Sequence, residues 1–124
     1  MSSDQDIRTP IDDRFYRLDG QMPVRCTFVE YSQSMRNDAN RIVAQDSVGE
    51  LQVSTVFTGI DRNWGDGSPI LFETMVLGLP EDLLPQWGFS TWNDAITAHL
   101  HLVDSLTAHG VEPLLSEIRK KAAA

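Results

Sequence analysis

A nine-residue polar insert between two apolar runs carries the residue types that bind small anionic ligands. The insert, residues 61–69, reads DRNWGDGSP. Its two glycines allow backbone amides to approach a phosphate, Arg62 can pair with that phosphate, and Trp64 offers a ring face for base stacking. The insert matches neither the spacing of a P-loop nor that of an EF-hand loop. The same residues also suit a structural loop, in which glycines take positive φ and Asp or Asn side chains form turns.

Three histidines and one cysteine are the other residues of chemical interest. His99 and His101 lie two positions apart on a predicted helix, roughly 200° around its axis, so they cannot share a metal ion. His99 falls in the apolar stripe of that helix, which favours a hydrogen-bonded core residue, although one ring nitrogen could face a ligand across the sheet. His109 falls near the helix C-terminus, where it favours the dipole. Cys26 lacks a neighbouring base in the sequence, which argues against a nucleophile.

No catalytic constellation emerges from the sequence. It shows no Ser-His-Asp order, no paired catalytic carboxylates and no cluster of metal ligands at a recognisable spacing. We therefore expect a protein that is not an enzyme and that uses no metal ion and no cofactor.

The composition excludes several classes of function. The chain has 124 residues, of which 41% are hydrophobic, and a net charge of −8. This size fits one domain with a modest core, and this charge makes duplex nucleic acid a poor partner, because duplex binding neutralises many phosphates. The arginines can still hold one small anion. The single cysteine suits a reducing cytoplasm, and no run approaches the ~20 apolar residues of a membrane span.

Runs of β-branched and alternating apolar residues predict five strands, over residues 14–18, 22–26, 41–48, 51–60 and 70–77. The turn signals Asp19-Gly20 and Gly49-Glu50 join the first two and the middle two as hairpins. Residues 79–89, which follow Gly78, contain prolines and a glycine and predict a loop. Its large apolar side chains are expected to pack on the sheet or on another chain.

Glu73 lies in the middle of the last predicted strand, and its environment depends on which strand face is buried. If Leu71 and Met75 face the core, Glu73 does too, and its carboxylate requires a partner such as an arginine. If the alternate residues are buried, Glu73 faces solvent or an interface. Phe72 carries the same ambiguity between a core position and stacking on a ligand.

Apolar residues at three- and four-residue spacing predict three helices, over residues 28–37, from about residue 91 to 109, and from residue 112 onward. Thr27 and Glu30 form a capping box before the first helix. Ser90 and Thr91 offer an N-cap for the second helix, and Gly110 is suited to end it. Pro113 occupies a tolerated first-turn position of the third.

The order of these elements, strands followed by two helices, predicts an α+β fold. We expect one antiparallel sheet of about five strands, with the short helix inserted and the two C-terminal helices packed on the sheet. Residues 1–12 are polar and predict a flexible N-terminal arm. Residues 13–124 predict a single α+β domain.

A sequence resemblance is densest over residues 53–78. The segments VSTVFTGIDRNWGDGSPILFETMV and, later, STWNDAITAH resemble a family of small, mostly phage-encoded proteins with the pattern STVFLGLDHNFG-G-PPLLFETMVFG … STW–EA–GH. This family in turn resembles the phage Thoeris anti-defence proteins of the first-described type, and we expect it to belong with or near them. Those proteins are oligomeric sponges that sequester cyclic ADP-ribose-type and cyclic oligonucleotide signals.

The resemblance implies an anti-defence protein of the host cytoplasm that binds a small cyclic nucleotide and does not degrade it. It also implies a homodimer or higher homo-oligomer with the pocket between protomers, and the composition adds that neither duplex nucleic acid nor a membrane is a partner. The candidate ligand-binding residues comprise rings for base stacking, arginines for phosphates and two further polar side chains: Trp64, Phe72, Trp92, Arg25, Arg62, Arg119, Asn63 and His99.

A protein-binding inhibitor of a host defence complex is the alternative function. An acidic protein can mimic nucleic acid and block a basic groove, as anti-CRISPR proteins often do. Such a mimic concentrates its carboxylates on one face, whereas Asp and Glu are scattered along this chain, which favours the sponge. A phage accessory or structural role also remains open.

Overall fold

The computed structural model of the chain describes residues 14–123. The predicted arm over residues 1–12 therefore lies outside the described residues. Within them the strands are β1 (Tyr16–Asp19), β2 (Met22–Arg25), β3 (Ile42–Val48), β4 (Leu51–Phe57), β5 (Phe72–Leu77) and β6 (Gln86–Phe89). The helices are α1 (Phe28–Ser34), α2 (Trp92–His109) and α3 (Glu112–Ala123), with 3₁₀ turns at Asp38–Asn40 and Pro80–Asp82.

The predicted α+β class with antiparallel strands is confirmed, but the strands form two sheets and not one sheet of five. β1 pairs with β2 in a two-stranded sheet, and β3, β4, β5 and β6 form a four-stranded antiparallel sheet in chain order. β6 lies in the segment for which the sequence predicts a loop, so that part of the prediction is wrong. Gly88 allows this strand to pair there, because a Cβ at this position would lie 2.6 Å from Ile70 Cγ2.

The β1–β2 hairpin docks on the segment that follows β4. The backbone N–H of Tyr16 donates to the carbonyl of Gly59 at 2.8 Å, and the N–H of Asp61 donates to the carbonyl of Arg14 at 2.9 Å. Gly59 takes φ of +72°, which ends the extended geometry of β4 at Phe57 and not at residue 60 as predicted. The hairpin therefore covers one end of the larger sheet.

One face of the larger sheet packs against the C-terminal helices. Cross-strand pairs on this face join Val53 to Val76 and Phe57 to Phe72, and all four side chains are buried. Their alternation places Glu73 on the opposite face of β5, which resolves the ambiguity left by the sequence. The Glu73 side chain is 14% exposed there and forms an ion pair with Arg62.

Two apolar clusters lie at the two ends of this face. The first joins the start of β4 and the end of β5 to α2 and α3, through Val53, Val76, Leu79, Leu106, Leu114 and Leu115. The second joins the hairpin and the facing ends of β4 and β5 to the start of α2, through Tyr16, Phe57, Leu71, Phe72 and Ala95. α2 therefore spans the sheet from one cluster to the other.

The helix ends follow the predicted capping residues with one exception. The capping box of Thr27 and Glu30 is present at the start of α1, and the Thr91 hydroxyl accepts from the N–H of Asp94 at the start of α2. α1 ends at Ser34 and not at residue 37, because Asn37 instead caps the following 3₁₀ turn. None of the described helices is both long and apolar enough to cross a membrane.

Candidate functional site

A cavity of about 360 Å³ lies between the β5–β6 part of the sheet and helices α2 and α3. This volume is within the range of pockets that hold small organic molecules. The two strands contribute Thr74, Trp87 and Phe89, and the helices contribute mainly small or aliphatic side chains, including Ala98, Leu102, Leu106, Pro113 and Leu114. The lining is thus largely apolar, with two aromatic residues from β6.

Polar side chains line the same cavity at a few positions. His101 and Ser105 come from α2, Glu117 comes from α3, and Thr74 comes from β5. A second depression of about 200 Å³ shares Trp87, Leu114 and Glu117 with the cavity and adds Lys121. Trp87 therefore contributes to both spaces, and Lys121 brings a positive charge close to the cavity.

A buried chain of hydrogen bonds ends at the cavity. The Oγ1 atoms of Thr74 and Thr55 are 2.6 Å apart, and Thr55 Oγ1 lies 2.7 Å from His99 Nδ1. On its other side the His99 ring places Nε2 2.7 Å from Oδ2 of Asp46 on β3. His99 is 0% exposed, whereas the Asp46 side chain is 48% exposed. This series of hydrogen bonds therefore crosses three strands, β3, β4 and β5, from Asp46 at the protein surface to Thr74, one of the residues that line the cavity.

The predicted insert is a loop stabilised by its own side chains. Asp61 Oδ1 accepts from the N–H of Asn63 at 2.8 Å and from the N–H of Ile70 at 3.1 Å. Asn63 accepts from the N–H of Gly65 at 3.0 Å and donates from Nδ2 to the carbonyl of Ser68 at 2.9 Å. The polar atoms of Asn63 thus form hydrogen bonds within the loop. This is what a purely structural loop, the alternative to a ligand-binding site, predicts for this segment.

Trp64 projects from this loop and is 84% exposed. The guanidinium carbon of Arg14 lies 3.3 Å from the centroid of the indole, in a cation–π contact, and Arg14 also donates to the backbone carbonyl of Asp61. Arg62, expected to bind phosphate, is held by Glu73 on the open face of the sheet. The loop therefore presents an aromatic ring, and the two arginines beside that ring, Arg14 and Arg62, already have partners.

Two predicted ligand-binding residues are inaccessible to a ligand. Phe72 is fully buried in the cluster at the start of β5 and contacts Phe57 and Trp92, so its ring is a core group. Both ring nitrogens of His99 are occupied by Thr55 and Asp46. Phe72 and His99 therefore both occupy core positions, which the sequence left open as the alternative to ligand binding.

Trp92 is half-buried and lines a wide, shallow depression beside the hairpin, with Tyr16, Asp19 and Asp94 among the other lining residues. None of the residues that line this depression is Lys or Arg. Its charge therefore does not suit an anionic ligand, although Trp92 stands at the start of a helix.

The three predicted phosphate-binding arginines do not converge in one chain. Arg25 Nε donates to the hydroxyl of Tyr16 at 3.2 Å, within the β1–β2 hairpin. Arg62 lies near the same end of the sheet, whereas Arg119 is on α3 and approaches Glu81 at 3.8 Å. A clamp that uses both Arg62 and Arg119 would therefore require two protomers.

Two ionisable groups near α1 have shifted pKa values. Burial raises the pKa of the Cys26 thiol above its ordinary value, and the negative charge of Glu30 adds to this shift. Hydrogen bonds from Thr27 lower the pKa of Glu30. A raised thiol pKa disfavours the thiolate, which agrees with the expectation that Cys26 is not a nucleophile.

Sequence reasoning missed the residues that surround the cavity. Trp87 and Phe89 alternate with Gln86 and Gly88, a period-two signal that the neighbouring prolines and glycines obscured. Thr55 and Thr74 looked like ordinary strand residues, because their pairing across β4 and β5 depends on the register. The sequence points to His101 only as one of two histidines that cannot share a metal ion.

No protein-family model, curated protein sequence or solved structure matches this chain. Within residues 14–123, no group of three or more His, Cys, Asp or Glu side chains is placed to hold a metal ion. The features of the fold that bear on function are the cavity, the buried hydrogen-bond chain and the exposed loop.

Proposed function

We propose that the protein binds a small ligand with a flat aromatic ring in the cavity under β5 and β6 and sequesters it unchanged. A cyclic nucleotide immune signal, of the cyclic ADP-ribose or cyclic oligonucleotide type, is the ligand class that we propose. The observation that carries the proposal is an apolar cavity of about 360 Å³ lined by Trp87 and Phe89.

Aromatic residues support a nucleobase as the buried part of the ligand. Base–aromatic stacking contributes roughly 1–3 kcal/mol per base and tolerates any base, because every base has a π-face. The few polar groups that are not buried, His101, Ser105 and Glu117, can orient such a ring through hydrogen bonds. A largely apolar lining with a few polar groups favours binding of a base over binding of a bare phosphate.

The phosphates of such a ligand belong outside the cavity. None of the residues that line the cavity is Lys or Arg, and Glu117 would repel an anion. Lys121 lines the adjoining depression, and His101 lines the cavity on the side of α2. We therefore place the base in the cavity and the phosphates towards the adjoining depression, where the cation is Lys121, whose Nζ lies 3.9 Å from Oε1 of Glu117.

Isothermal titration calorimetry with cyclic ADP-ribose isomers, cyclic di- and trinucleotides and linear ADP-ribose tests the proposal. Chromatography of the released ligand then shows whether it is returned unchanged. Ala98→Trp places a large ring in the cavity and is expected to weaken binding at least about tenfold, which corresponds to about 1.4 kcal/mol. Arg62→Ala is the matched control, because Arg62 lies on the opposite face of the sheet and is expected to leave affinity unchanged.

Three results would contradict the proposal. The first is an absence of heat from every nucleotide, and the second is a chemically altered product. The third is full affinity in Ala98→Trp with lost affinity in Arg62→Ala, which would place the ligand on the insert and not in the cavity. Ser105→Phe fills the same cavity from about two turns further along α2 and provides a second variant if Ala98→Trp does not fold.

A second candidate function is supported by Trp64. A tryptophan that is 84% exposed on a loop held by its own hydrogen bonds resembles the aromatic anchors that dominate protein interfaces. We propose as the alternative that this loop binds a protein of a host defence complex and inhibits it. The test begins with capture of a host protein by the wild-type chain. The captured protein is then purified and its complex with the chain is reconstituted. Trp64→Ala is expected to lose this interaction, whereas Ala98→Trp is expected to retain it.

A further inference from the structure

We propose that two copies of this chain associate through the face of the four-stranded sheet that lies opposite α2 and α3, which we call the open face. Successive residues of a strand point to opposite sides of a sheet, so Ser54 and its partner Met75 lie on the side opposite to Val53 and Val76. The proposal concerns assembly and goes beyond the proposed binding function, which depends on the cavity under the other face.

The centre of the open face is apolar and accessible. Its apolar side chains come from three neighbouring strands and are Ile42, Val56, Met75 and Leu77. Ile42 is 36% exposed and Leu77 is 38% exposed, while Val56 and Met75 are half-buried. Accessible apolar groups that adjoin one another and are bordered by polar groups are typical of a surface that binds another protein.

Neutral polar side chains surround this centre. Gln45 Nε2 donates to Ser54 Oγ at 3.4 Å, Gln86 Nε2 donates to Met75 Sδ at 3.6 Å, and Gln52 lies opposite Leu77. A side-chain amide both donates and accepts hydrogen bonds, so it can pair with the same group of an identical copy. A two-fold interface requires such self-complementarity, because each surface meets a second copy of itself.

The charge of the open face favours a second copy as the occupant. Among the described strand residues on this face, Glu73 alone is charged, and its 14% exposed side chain pairs with Arg62. The face therefore has no net charge in a chain whose net charge is −8. Two such acidic chains repel each other, and the open face lets them meet with no unpaired like charges opposed. A basic partner would instead be attracted to carboxylates, which lie elsewhere on the chain.

The size of the open face sets the expected affinity. Four strands about 4.8 Å apart and about six residues long form a patch of roughly 400 Å². A standard stable interface buries about 800 Å² of each partner, so the patch is of the size found in weak, reversible complexes. We therefore expect a dimer that dissociates in the micromolar range.

This dimer keeps the two cavities apart. Each cavity lies between the sheet and helices α2 and α3, so both cavities are on the outer sides of the dimer. Arg62 lies at the interface, whereas Arg119 on α3 lies on the outer side. Each chain therefore has its own binding site, in contrast to the pocket between protomers that the resemblance implies.

Sedimentation velocity from about 5 to 500 µM measures the association. The wild-type chain is expected to pass from monomer to dimer as its concentration rises. Leu77→Lys is expected to raise the dissociation constant at least about tenfold, because the ammonium group would lose water in the interface without gaining a partner. Leu100→Lys is the matched control, since it changes the net charge equally at a leucine that is 54% exposed on α2, and it is expected to leave the association unchanged.

A second measurement places the contact without a change of charge. Methionine labelled with ¹³C in its methyl group reports Met75 on the open face and Met22, which is 66% exposed on β2. Met75→Leu and Met22→Leu assign the two signals. The Met75 signal is expected to shift with protein concentration and to give the same dissociation constant as sedimentation, while the Met22 signal stays constant.

The outcomes decide the inference independently of the cavity. A monomer at every concentration overturns it. A dimer whose Met75 signal does not shift, or whose association is undiminished in a folded Leu77→Lys protein, also overturns it and places the contact elsewhere, such as the outer edge of β3. Equal weakening by Leu77→Lys and Leu100→Lys does the same. If circular dichroism shows that Leu77→Lys does not fold, the Met75 signal decides, and no result of either measurement bears on nucleotide binding.

Discussion

Thr55 and Thr74 lie directly opposite each other on β4 and β5, and their Oγ1 atoms are 2.6 Å apart inside an otherwise apolar sheet face. His99 bonds to Thr55 and extends this pair to Asp46. Among the described residues, no buried side-chain nitrogen or oxygen lacks a hydrogen-bond partner. A slip of one residue in strand pairing would separate the two hydroxyls and leave each without the other as a hydrogen-bond partner. The pair therefore specifies the register of β4 against β5.

The first prediction is that Thr55→Val destabilises the protein although it preserves volume and strand propensity. Valine has no hydroxyl, so it removes the hydrogen-bond partner that His99 Nδ1 and Thr74 Oγ1 share. Both polar atoms are then left buried and without that partner. The expected loss in free energy of unfolding is about 1–3 kcal/mol, measured by urea denaturation. Thr107→Val is the control, since Thr107 is exposed on α2 and its hydroxyl bonds only to the carbonyl of Val103. Equal midpoints for the two variants would show that the network does not stabilise the fold.

The second prediction compares two glycines that both take positive φ. A Cβ at Gly59 would lie 2.7 Å from Cε1 of Tyr31 and 3.0 Å from the carbonyl oxygen of Tyr16, whereas a Cβ at Gly20 would meet nothing within 4 Å. Gly20→Ala is expected to add only the strain of a left-handed residue, roughly 1–2 kcal/mol. Gly59→Ala is expected to add about 1–3 kcal/mol of overpacking to the same strain and to loosen the docking of the hairpin.

Thermal unfolding followed by circular dichroism measures both glycine variants, and backbone NMR shifts of the hairpin report its docking. If the Gly59→Ala protein is no less stable than Gly20→Ala, the hairpin can move away from the segment after β4 at little cost in free energy. In that case the hairpin would contribute little to the cluster that contains Tyr16 and Phe57.

The third prediction concerns the rigidity of the loop that carries Trp64. Asp61→Ala removes the acceptor for the N–H groups of Asn63 and Ile70, and these amides are expected to exchange with solvent about tenfold faster in hydrogen-exchange NMR. Asp66→Ala removes an exposed carboxylate from the same loop and is the matched control. Ligand affinity of the cavity is expected to be unchanged in both variants. Unchanged exchange in Asp61→Ala would show that the loop does not depend on this side chain.

Local sequence signals predicted most elements, because their causes lie within a few residues. The alternation in β4 and β5, the Thr27–Glu30 capping box and the stop at Gly110 all act over short distances. β6 was missed for the opposite reason. Proline and glycine are typical of loops, and this segment is a strand only because it pairs with β5, a contact that local patterns do not contain.

The candidate site was less predictable than the fold. The insert has the residue types of an anion site, yet Asp61 and Asn63 bond to their own loop and Arg62 pairs with Glu73 across eleven positions of sequence. The cavity requires β5, β6, α2 and α3 to meet, and the hydrogen-bond chain requires the register of β3, β4 and β5. These are long-range relationships, so the residues that the sequence singled out and the residues that the fold brings together differ.

The last prediction concerns Cys26, whose thiol pKa is raised mainly by burial and further by the charge of Glu30. A raised pKa lowers the thiolate fraction at any given pH, and the thiolate is the form that reacts. Alkylation by iodoacetamide, followed by mass spectrometry from pH 7 to 10, is therefore expected to be slower than for free cysteine, with its midpoint at higher pH. Glu30→Gln retains the capping hydrogen bond but removes the charge, and is expected to shift the midpoint part of the way down.

Arg17 supplies the matched test of sign, because its positive charge lowers the pKa of the same thiol. Arg17→Gln is expected to move the midpoint of alkylation upward, opposite to Glu30→Gln. Since burial is the largest cause, neither variant is expected to return the midpoint to that of free cysteine. A wild-type midpoint at or below that of free cysteine, or shifts of the same sign in both variants, would show that the thiol is more open to solvent than its position between β2 and α1 implies.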